Sequence, residues 1–179
     1  VHTDNGNFEC DKTIVTAGIW SKELMLKLGI NIPLEAERGY HVVYKNASIL
    51  PRNPMMMTIG KFGVTPMGSD LRCAGTVELG GIKLGPSKGP IKLLRRRVAE
   101  AFPKMYYDKT EEWLGFRPTT PDSLPLIGEL KESGIYTAFG HQHIGITSGP
   151  KTGRLIADII NQRSPNIDMS VYDPNRYNL

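Results

Sequence analysis

A short apolar run that passes through four glycines into a helix-like run limits what this chain can fold into. Residues 135–139 have the β-branched and aromatic side chains of a strand, and residues 154–160 have the apolar spacing of a helix. Between them, residues 140–153 include glycines at 140, 145, 149 and 153. The first N–H groups of a helix have no partner within it, and the helix dipole adds positive charge there. The stretch could therefore hold an electron-rich group, or it could be a glycine-rich connection that binds nothing.

The start of the chain repeats this plan. Residues 8–17 end in a continuous apolar, β-branched run, which predicts a strand buried on both faces, as in a parallel sheet. Gly18 ends that strand, and residues 21–28 read as a short amphipathic helix. We predict Ser21 as its N-cap and Gly29 as the residue that closes it.

The middle of the chain predicts antiparallel strands separated by turns rather than by helices. These strands are predicted at residues 37–44, 55–59, 62–66 and 71–78, with a hairpin turn at residues 67–70. A helix is predicted over residues 86–102, and Pro103 stops it. Residues 113–128 contain three prolines and predict an ordered, partly buried extended segment, while the polar tail from Asn166 is expected to lie on the surface.

Composition sets broad limits on function. The 22 basic and 18 acidic residues give a mild charge of +4, and the densest basic patch, residues 92–97, favours a solvated helix face over a site for nucleic acid or anionic lipid. No run of 18 apolar residues predicts a membrane-spanning helix. Cys10 and Cys73 make no metal spacing and suggest buried free thiols in a reducing compartment. Because the chain begins at Val1 without methionine, we expect a fragment of a longer protein.

Arg117 is the strongest single candidate for ligand binding. It stands among apolar neighbours in a segment stiffened by proline, and an unpaired buried charge is very costly. A guanidinium matches a carboxylate in a bidentate fork, so Arg117 could bind a substrate carboxylate. The alternative is an internal ion pair, for instance with Asp122 or Glu112.

Two histidines near the glycine-rich stretch are further candidates. His141 and His143 are two residues apart, so an extended segment would place both on one face. Without a nearby carboxylate or thiolate they make a weak metal site, and pocket lining is favoured. The sequence lacks a phosphate-binding glycine loop, a His-Glu-x-x-His motif, a nucleophile elbow and a Cys-x-x-Cys motif. It therefore predicts that this chain cannot hold an adenine dinucleotide by itself.

Five stretches, in this order, resemble the carboxy-terminal half of the FAD-dependent amino-acid oxidoreductases of the D-amino-acid oxidase superfamily. They are residues 10–21, which end in Ala-Gly-Ile-Trp-Ser, and residues 37–41, 73–78, 115–122 and 140–153. The set covers nearly the whole chain and is most similar to the D-amino-acid dehydrogenase branch.

The resemblance implies a role for each candidate residue. Ala17, Gly18 and His141 would lie against FAD, and the backbone of Gly145, Ile146 and Thr147 would face the pyrimidine edge of the flavin, where negative charge gathers on reduction. Arg117 would bind the substrate carboxylate and orient the Cα–H bond for hydride transfer to flavin N5, and His143 would line the substrate pocket. The resemblance implies no catalytic side chain, because an uncharged substrate amine suffices, and it implies no metal.

The resemblance also implies an architecture and a set of partners. The fold would be α+β, with an antiparallel substrate domain at residues 30–130 inserted between FAD-binding pieces at residues 1–29 and 131–179. The dinucleotide-binding part would lie in a missing amino-terminal half. The parent enzyme would deaminate amino acids, D-amino acids in particular, in the cytoplasm, and the resemblance leaves peripheral contact with the inner membrane and quinone open. A glycine or sarcosine oxidase, and an isolated domain without activity or FAD of its own, stay open as alternatives.

Overall fold

The computed structural model describes residues 1–177 and has a mixed α+β fold with an antiparallel sheet. The strands are β1 His2–Thr3, β2 Gly6–Asn7, β3 Thr13–Val15, β4 Glu35–Tyr44, β5 Met55–Met57, β6 Phe62–Met67, β7 Asp70–Leu79, β8 Thr110–Thr119, β9 Leu126–Glu129 and β10 Ile135–Phe139. The α-helices are α1 Ser21–Lys27, α2 Lys88–Ala101 and α3 Gly145–Ile160, and short 3-10 turns lie at Gly18–Trp20, Ser170–Tyr172 and Pro174–Tyr177. Among these residues, no helix is long and apolar enough to cross a membrane.

The chain forms two compact units. The first contains Val1–Ala36 and the chain from Arg117 onward, and the second contains Glu37–Phe116. The predicted domain boundaries after residues 29 and 130 stay a prediction. They separate cofactor-binding from substrate-binding parts, whereas the two units are defined by compactness.

The sheet of the first unit joins the two ends of the chain. Its strand order is β3-β10-β9, with β3 parallel and β9 antiparallel to β10. Helix α3 packs against this sheet through a small buried core of Ile127, Tyr136, Leu155 and Ile156. The first unit therefore depends on contacts between segments far apart in sequence.

Two predictions for the beginning of this unit are wrong. The strand expected over residues 8–17 is only Thr13–Val15, and Ile14 is 44 % exposed, so within residues 1–177 this strand is not buried on both faces. Cys10 consequently lies outside the strand and is exposed. Cys73 is buried as expected, and burial raises its pKa to about 12, so the thiol stays protonated.

The cap predicted for α1 is also wrong, although the predicted end of the helix is confirmed. Trp20 already has helical dihedral angles (φ −71°, ψ −11°), so the 3-10 turn before it runs directly into α1. Ser21 lies inside the helix, where it is fully buried and caps nothing. Gly29 has φ +77°, the left-handed conformation expected of the residue after a helix end.

Helix α3 is longer than the sequence pattern indicates. It begins at Gly145 rather than at Arg154, so most of the glycine-rich stretch is helical, with Pro150 inside it. Glycine and proline have low helix propensity, so the sequence pattern does not indicate a helix in the first part of α3. Packing against the sheet overrides that propensity.

The second unit is a five-stranded sheet covered on one face by α2. The strand order is β5-β6-β7-β4-β8, and the predicted hairpin is confirmed by the pairing of Met67 with Asp70 around a left-handed Gly68. Alternate residues of the strands face α2 and form the main core with it, which includes Tyr40, Val42, Phe62, Val64, Cys73, Ile91, Leu94 and Val98. The opposite face of the strands carries His41 and Arg72.

The tail packs through one anchored arginine, which the sequence reading missed. The side chain of Arg176 is 14 % exposed and donates to both carboxylate oxygens of Asp122, at 2.7 and 3.1 Å. It also donates to the carbonyl oxygen of Leu124 at 2.8 Å. The tail therefore stabilises the proline-rich loop that follows β8.

We predict that Arg176→Met lowers the free energy of unfolding by about 1–2 kcal/mol, since it removes the charged hydrogen bonds to a partly exposed carboxylate and the hydrogen bond to the Leu124 carbonyl. Arg176 holds the pKa of Asp122 well below its usual range. The stabilisation is therefore complete above about pH 4 and disappears as the pH falls further, towards the lowered pKa. Denaturant unfolding at pH 7 and pH 3 measures this, with a narrower gap between wild type and variant at pH 3. Arg96→Met, which removes an exposed pair with Glu100, is the control and should change stability by less than about 0.5 kcal/mol.

Candidate functional site

Parallel pairing brings two of the predicted cofactor segments together at the carboxyl ends of β3 and β10. Ile14 pairs with Tyr136 and Val15 with Thr137, so β3 and β10 end at the same side. Ala17 follows β3 there. The chain turns at Gly18 (φ +56°) after one strand and at Gly140 (φ +92°) after the other, where a side chain would be strained.

The start of α3 follows these carboxyl ends and leaves backbone donors open. Its N-cap, Ile144, makes no side-chain capping hydrogen bond, and the first N–H that reaches back to the cap is that of Ser148. Within residues 1–177 the N–H groups of Gly145, Ile146 and Thr147 have no hydrogen-bond acceptor, and Ile146 is 97 % exposed. Three open donors with the positive end of the helix dipole fit an electron-rich group such as the pyrimidine edge of a flavin.

A cavity of about 610 Å³ runs beside α3. On the helix side it is lined by small residues at every fourth position, Gly145, Gly149, Gly153 and Ala157, and on the sheet side by Ile14, Thr16 and Ala138. The small residues leave a groove along the helix, and the exposed Ile14 makes its wall apolar.

His141 is held by the helix rather than directed at the open N–H groups. Its Nε2 lies 2.8 Å from the hydroxyl of Thr152, which donates its own proton to the carbonyl oxygen of Ser148 at 3.1 Å. The hydroxyl must then accept from His141, so the ring carries its proton on Nε2. Burial lowers the pKa of His141, which keeps the ring neutral.

His143 and Arg117 belong to neighbouring segments of the first unit. The backbone N–H of Gln142, a residue in the left-handed conformation (φ 51°), donates to the carbonyl oxygen of Pro118 at 3.1 Å. This bond ties the loop that carries both histidines to the residue after Arg117. His143 is exposed, and the described residues contain no group of three histidine, cysteine or acidic side chains that could hold a metal ion.

Arg117 is half-buried and has neither an ion-pair nor a hydrogen-bond partner for its side chain among residues 1–177. Both suggested partners are engaged elsewhere, since Asp122 pairs with Arg176 and Glu112 pairs with Arg95 at 2.8 Å. The internal ion pair with either residue is therefore wrong. A half-buried guanidinium without a carboxylate favours an anionic ligand.

The sequence reading treated residues 37–41 as either pocket lining or an ordinary strand, and it missed a second polar cluster there. In the second unit the rings of His41 and Trp113 stack with centroids 4.8 Å apart and planes at 11°. Arg72 donates through Nε to His41 Nδ1 at 3.2 Å. The alternation of side chains along the strands, which places these residues opposite the α2 core, was a signal available in the sequence. The pairing of strands that are distant in sequence was not available there.

Comparison with known proteins identifies relatives over almost the whole chain. Residues 1–159 match the family described as DAO: FAD dependent oxidoreductase. The chain is 38 % identical to a D-amino-acid oxidase of Bradyrhizobium diazoefficiens over 99 % of this chain and 43 % of that protein. It is 30 % identical to a D-amino acid dehydrogenase of the same bacterium, again over 99 % of this chain and 43 % of that protein.

A solved structure of a relative has a similar fold. The crystal structure of glycine oxidase from Geobacillus kaustophilus superposes with a TM-score of 0.82 at 26 % identity, covering 98 % of this chain and 48 % of that one. The chain thus spans less than half the length of these relatives.

We predict that His141 titrates below its ordinary value near pH 6.5 and keeps its proton on Nε2 at neutral pH, because burial disfavours the charged ring. Nitrogen-15 NMR of the labelled ring measures both properties. Thr152→Val removes the hydroxyl that accepts this proton and should lower the free energy of unfolding by about 1–2 kcal/mol. A titration midpoint above 6.5, or a proton on Nδ1, would contradict this account of the loop.

Proposed function

The chain belongs to the FAD dependent oxidoreductase family, whose named relatives act on amino acids, and we propose that it is the carboxy-terminal part of an enzyme that oxidatively deaminates D-amino acids. The observation that carries the proposal is the half-buried, unpaired Arg117, tied through Pro118 to the loop that leads into α3. An amino-acid carboxylate supplies the charge that this guanidinium lacks within the described chain. The first product would be an imine, which water would hydrolyse to a 2-oxo acid and ammonia.

Arg117 positions the substrate. Its planar guanidinium can donate two parallel hydrogen bonds to the α-carboxylate, which fixes the orientation of the amino acid about that group. A fixed orientation directs the Cα–H bond towards the hydride acceptor and lowers the entropic part of the barrier. His143, exposed on the adjoining loop, would line the pocket for the rest of the substrate.

The start of α3 and the turn after β3 would hold the cofactor. The open N–H groups of Gly145, Ile146 and Thr147 would stabilise negative charge at the pyrimidine edge of FAD, while Ala17 and Gly18 would pack beside it. FAD, when bound, would accept the hydride from the substrate at N5. His141, which lines the cavity beside α3, would hold the loop before this helix start in place, since its Nε2–H is already donated to Thr152.

The missing partner in this proposal is an amino-terminal half that binds the ADP part of FAD. The coverage of 43 % of the relatives supports it, because it leaves more than half of their length outside this chain. The apolar groove beside α3, with Ile14 on its wall, is a surface that such a half could cover. The electrons taken from the substrate need an acceptor. In this proposal, contact of the parent enzyme with a membrane quinone is one route to such an acceptor.

Two alternatives to this proposal are compatible with the same family. A glycine or sarcosine type of oxidase is favoured by the likeness to glycine oxidase at 26 % identity and TM-score 0.82. The second alternative is a chain with no activity and no FAD of its own. It is favoured because the chain covers only 43 % of the length of the related D-amino-acid oxidase. Oxygen consumption measured against dye reduction separates an oxidase from a dehydrogenase.

We predict that Arg117→Leu in the full-length protein raises KM for D-amino acids by about two orders of magnitude, since a lost charged partner for a carboxylate costs about 2–5 kcal/mol. Steady-state kinetics with a neutral D-amino acid such as D-alanine measures this. The control is Arg96→Leu, on the exposed side of α2, which should leave KM unchanged. Unchanged kinetics in Arg117→Leu would remove the carboxylate role.

We also predict that the isolated 179-residue chain binds no yellow chromophore, because it holds only one wall of the cofactor site. The visible absorption spectrum after incubation with FAD and gel filtration measures this. Supplying the amino-terminal half should restore both the flavin spectrum and amino-acid oxidation. Retention of FAD by the chain alone would contradict the division of the site between two halves.

A further inference from the structure

A second cavity lies within the second unit, beside the carboxyl end of α2. Its volume is about 210 Å³, and all of its lining residues belong to that unit. The wall combines polar groups with the side chains of Tyr44, Phe102, Met105 and Tyr107. Since a cavity of about 150 Å³ is large enough to hold benzene, this one has room for an aromatic ring with a short substituent.

One tyrosine hydroxyl in this wall has no protein partner although its residue is buried. Tyr44, the last residue of β4, is 3 % exposed, and its ring meets that of Tyr107 edge to face with centroids 4.9 Å apart. Among residues 1–177 its hydroxyl makes no hydrogen bond, whereas the hydroxyl of Tyr40 on the same strand donates to Glu78 at 2.6 Å. Buried tyrosine hydroxyls usually find a partner, so a ligand or water in the cavity must supply one at Tyr44.

The Tyr44 hydroxyl is available as a donor at neutral pH. Burial is the main cause that raises its pKa above the ordinary value, and the positive charge of Arg95 acts in the opposite direction. The hydroxyl therefore keeps its proton, and the guanidinium of Arg95 lies close enough to act on it.

Arg95 is the one charged side chain among the lining residues that the structure describes. Its Nη2 donates to the hydroxyl of Thr110 at 2.6 Å and pairs with Glu112 at 2.8 Å, so Nε and Nη1 have no acceptor within residues 1–177. Helix α2 carries five basic residues and one acidic residue, Glu100, which two arginines share. The charge around the cavity is therefore positive and favours an anion.

From this cavity we propose a binding site for a small aromatic monocarboxylate. Its ring packs against Phe102 and Tyr107, and its carboxylate accepts hydrogen bonds from the open nitrogens of Arg95 and from the hydroxyl of Tyr44. The inference goes beyond the proposed function, because it uses neither Arg117 nor any residue assigned to the cofactor.

The test measures the binding of phenylacetate to the full-length protein by calorimetry. The protein carries Arg117→Leu, because Arg117 is the other carboxylate site that we propose. We expect a Kd below about 1 mM for a ligand of this size. Phenylacetamide, which has nearly the same shape without the charge, should bind at least about tenfold more weakly, since it leaves the charged donors without an anion.

Three variants in the same background test the individual groups. Arg95→Gln should raise the Kd at least about tenfold, because it removes the charged donor. Tyr44→Phe should raise it about three- to tenfold, because it removes only the hydroxyl. Ala99→Leu should abolish binding, since Ala99 lines the cavity and is exposed, so that the larger side chain fills the space while leucine keeps a high helix propensity.

Arg96→Gln is the matched control, because it removes the same charge from the next position of α2 and Arg96 does not line the cavity. It should change the Kd by less than about twofold, as expected for an exposed charge screened by salt. A loss equal to that of Arg95→Gln would assign the binding to the general charge of α2 and overturn the site. An unchanged Kd in Ala99→Leu, or no binding of millimolar phenylacetate, would overturn it as well. Far-ultraviolet circular dichroism checks that each variant has folded, and the binding readout does not depend on oxidation of any amino acid.

Discussion

The parallel pairing of β3 with β10 is the constraint on which the first unit depends. The two strands come from opposite ends of the chain, with Ile14 paired to Tyr136. Bringing such distant segments together costs loop-closure entropy, although that cost grows only slowly with loop length. The intervening residues 37–116 also form a compact unit with their own core, so the pairing does not have to order a long unstructured loop. The turns after both strands then lie at one sheet edge.

The helix that follows β10 shows how a helix start with open N–H groups can be built from a sequence with poor helix propensity. Gly145 and Gly149 leave the groove beside the helix open, and the apolar residues Leu155 and Ile156 further along anchor the helix on the sheet. The stabilisation thus comes from the far end of the helix. The near end keeps its N–H groups uncapped, which is the property that a flavin-binding role needs.

Four arginines of this chain differ in their partners. Arg38 is buried and pairs with Glu78 at 3.2 Å, and Arg176 is held by Asp122, so both serve the fold. Arg117 and Arg72 have no carboxylate partner within residues 1–177, although acidic side chains stand near them in sequence. An unpaired charge that is partly buried is costly, which is why Arg117 needs either a ligand or solvent to compensate it.

The sequence by itself determined the elements with strong local signals and the order of the family's motifs. It predicted the hairpin around Gly68, the α2 face and β10 correctly, because side-chain periodicity and turn chemistry are local properties. It also singled out Arg117 from its apolar neighbours. Only the tertiary structure decided that α3 begins at Gly145, since packing overrides the low propensity of glycine. The partners of the charged side chains were likewise decided by tertiary structure, because the choice between Asp122 with Arg117 and Asp122 with Arg176 is set by distances between segments that are separate in sequence.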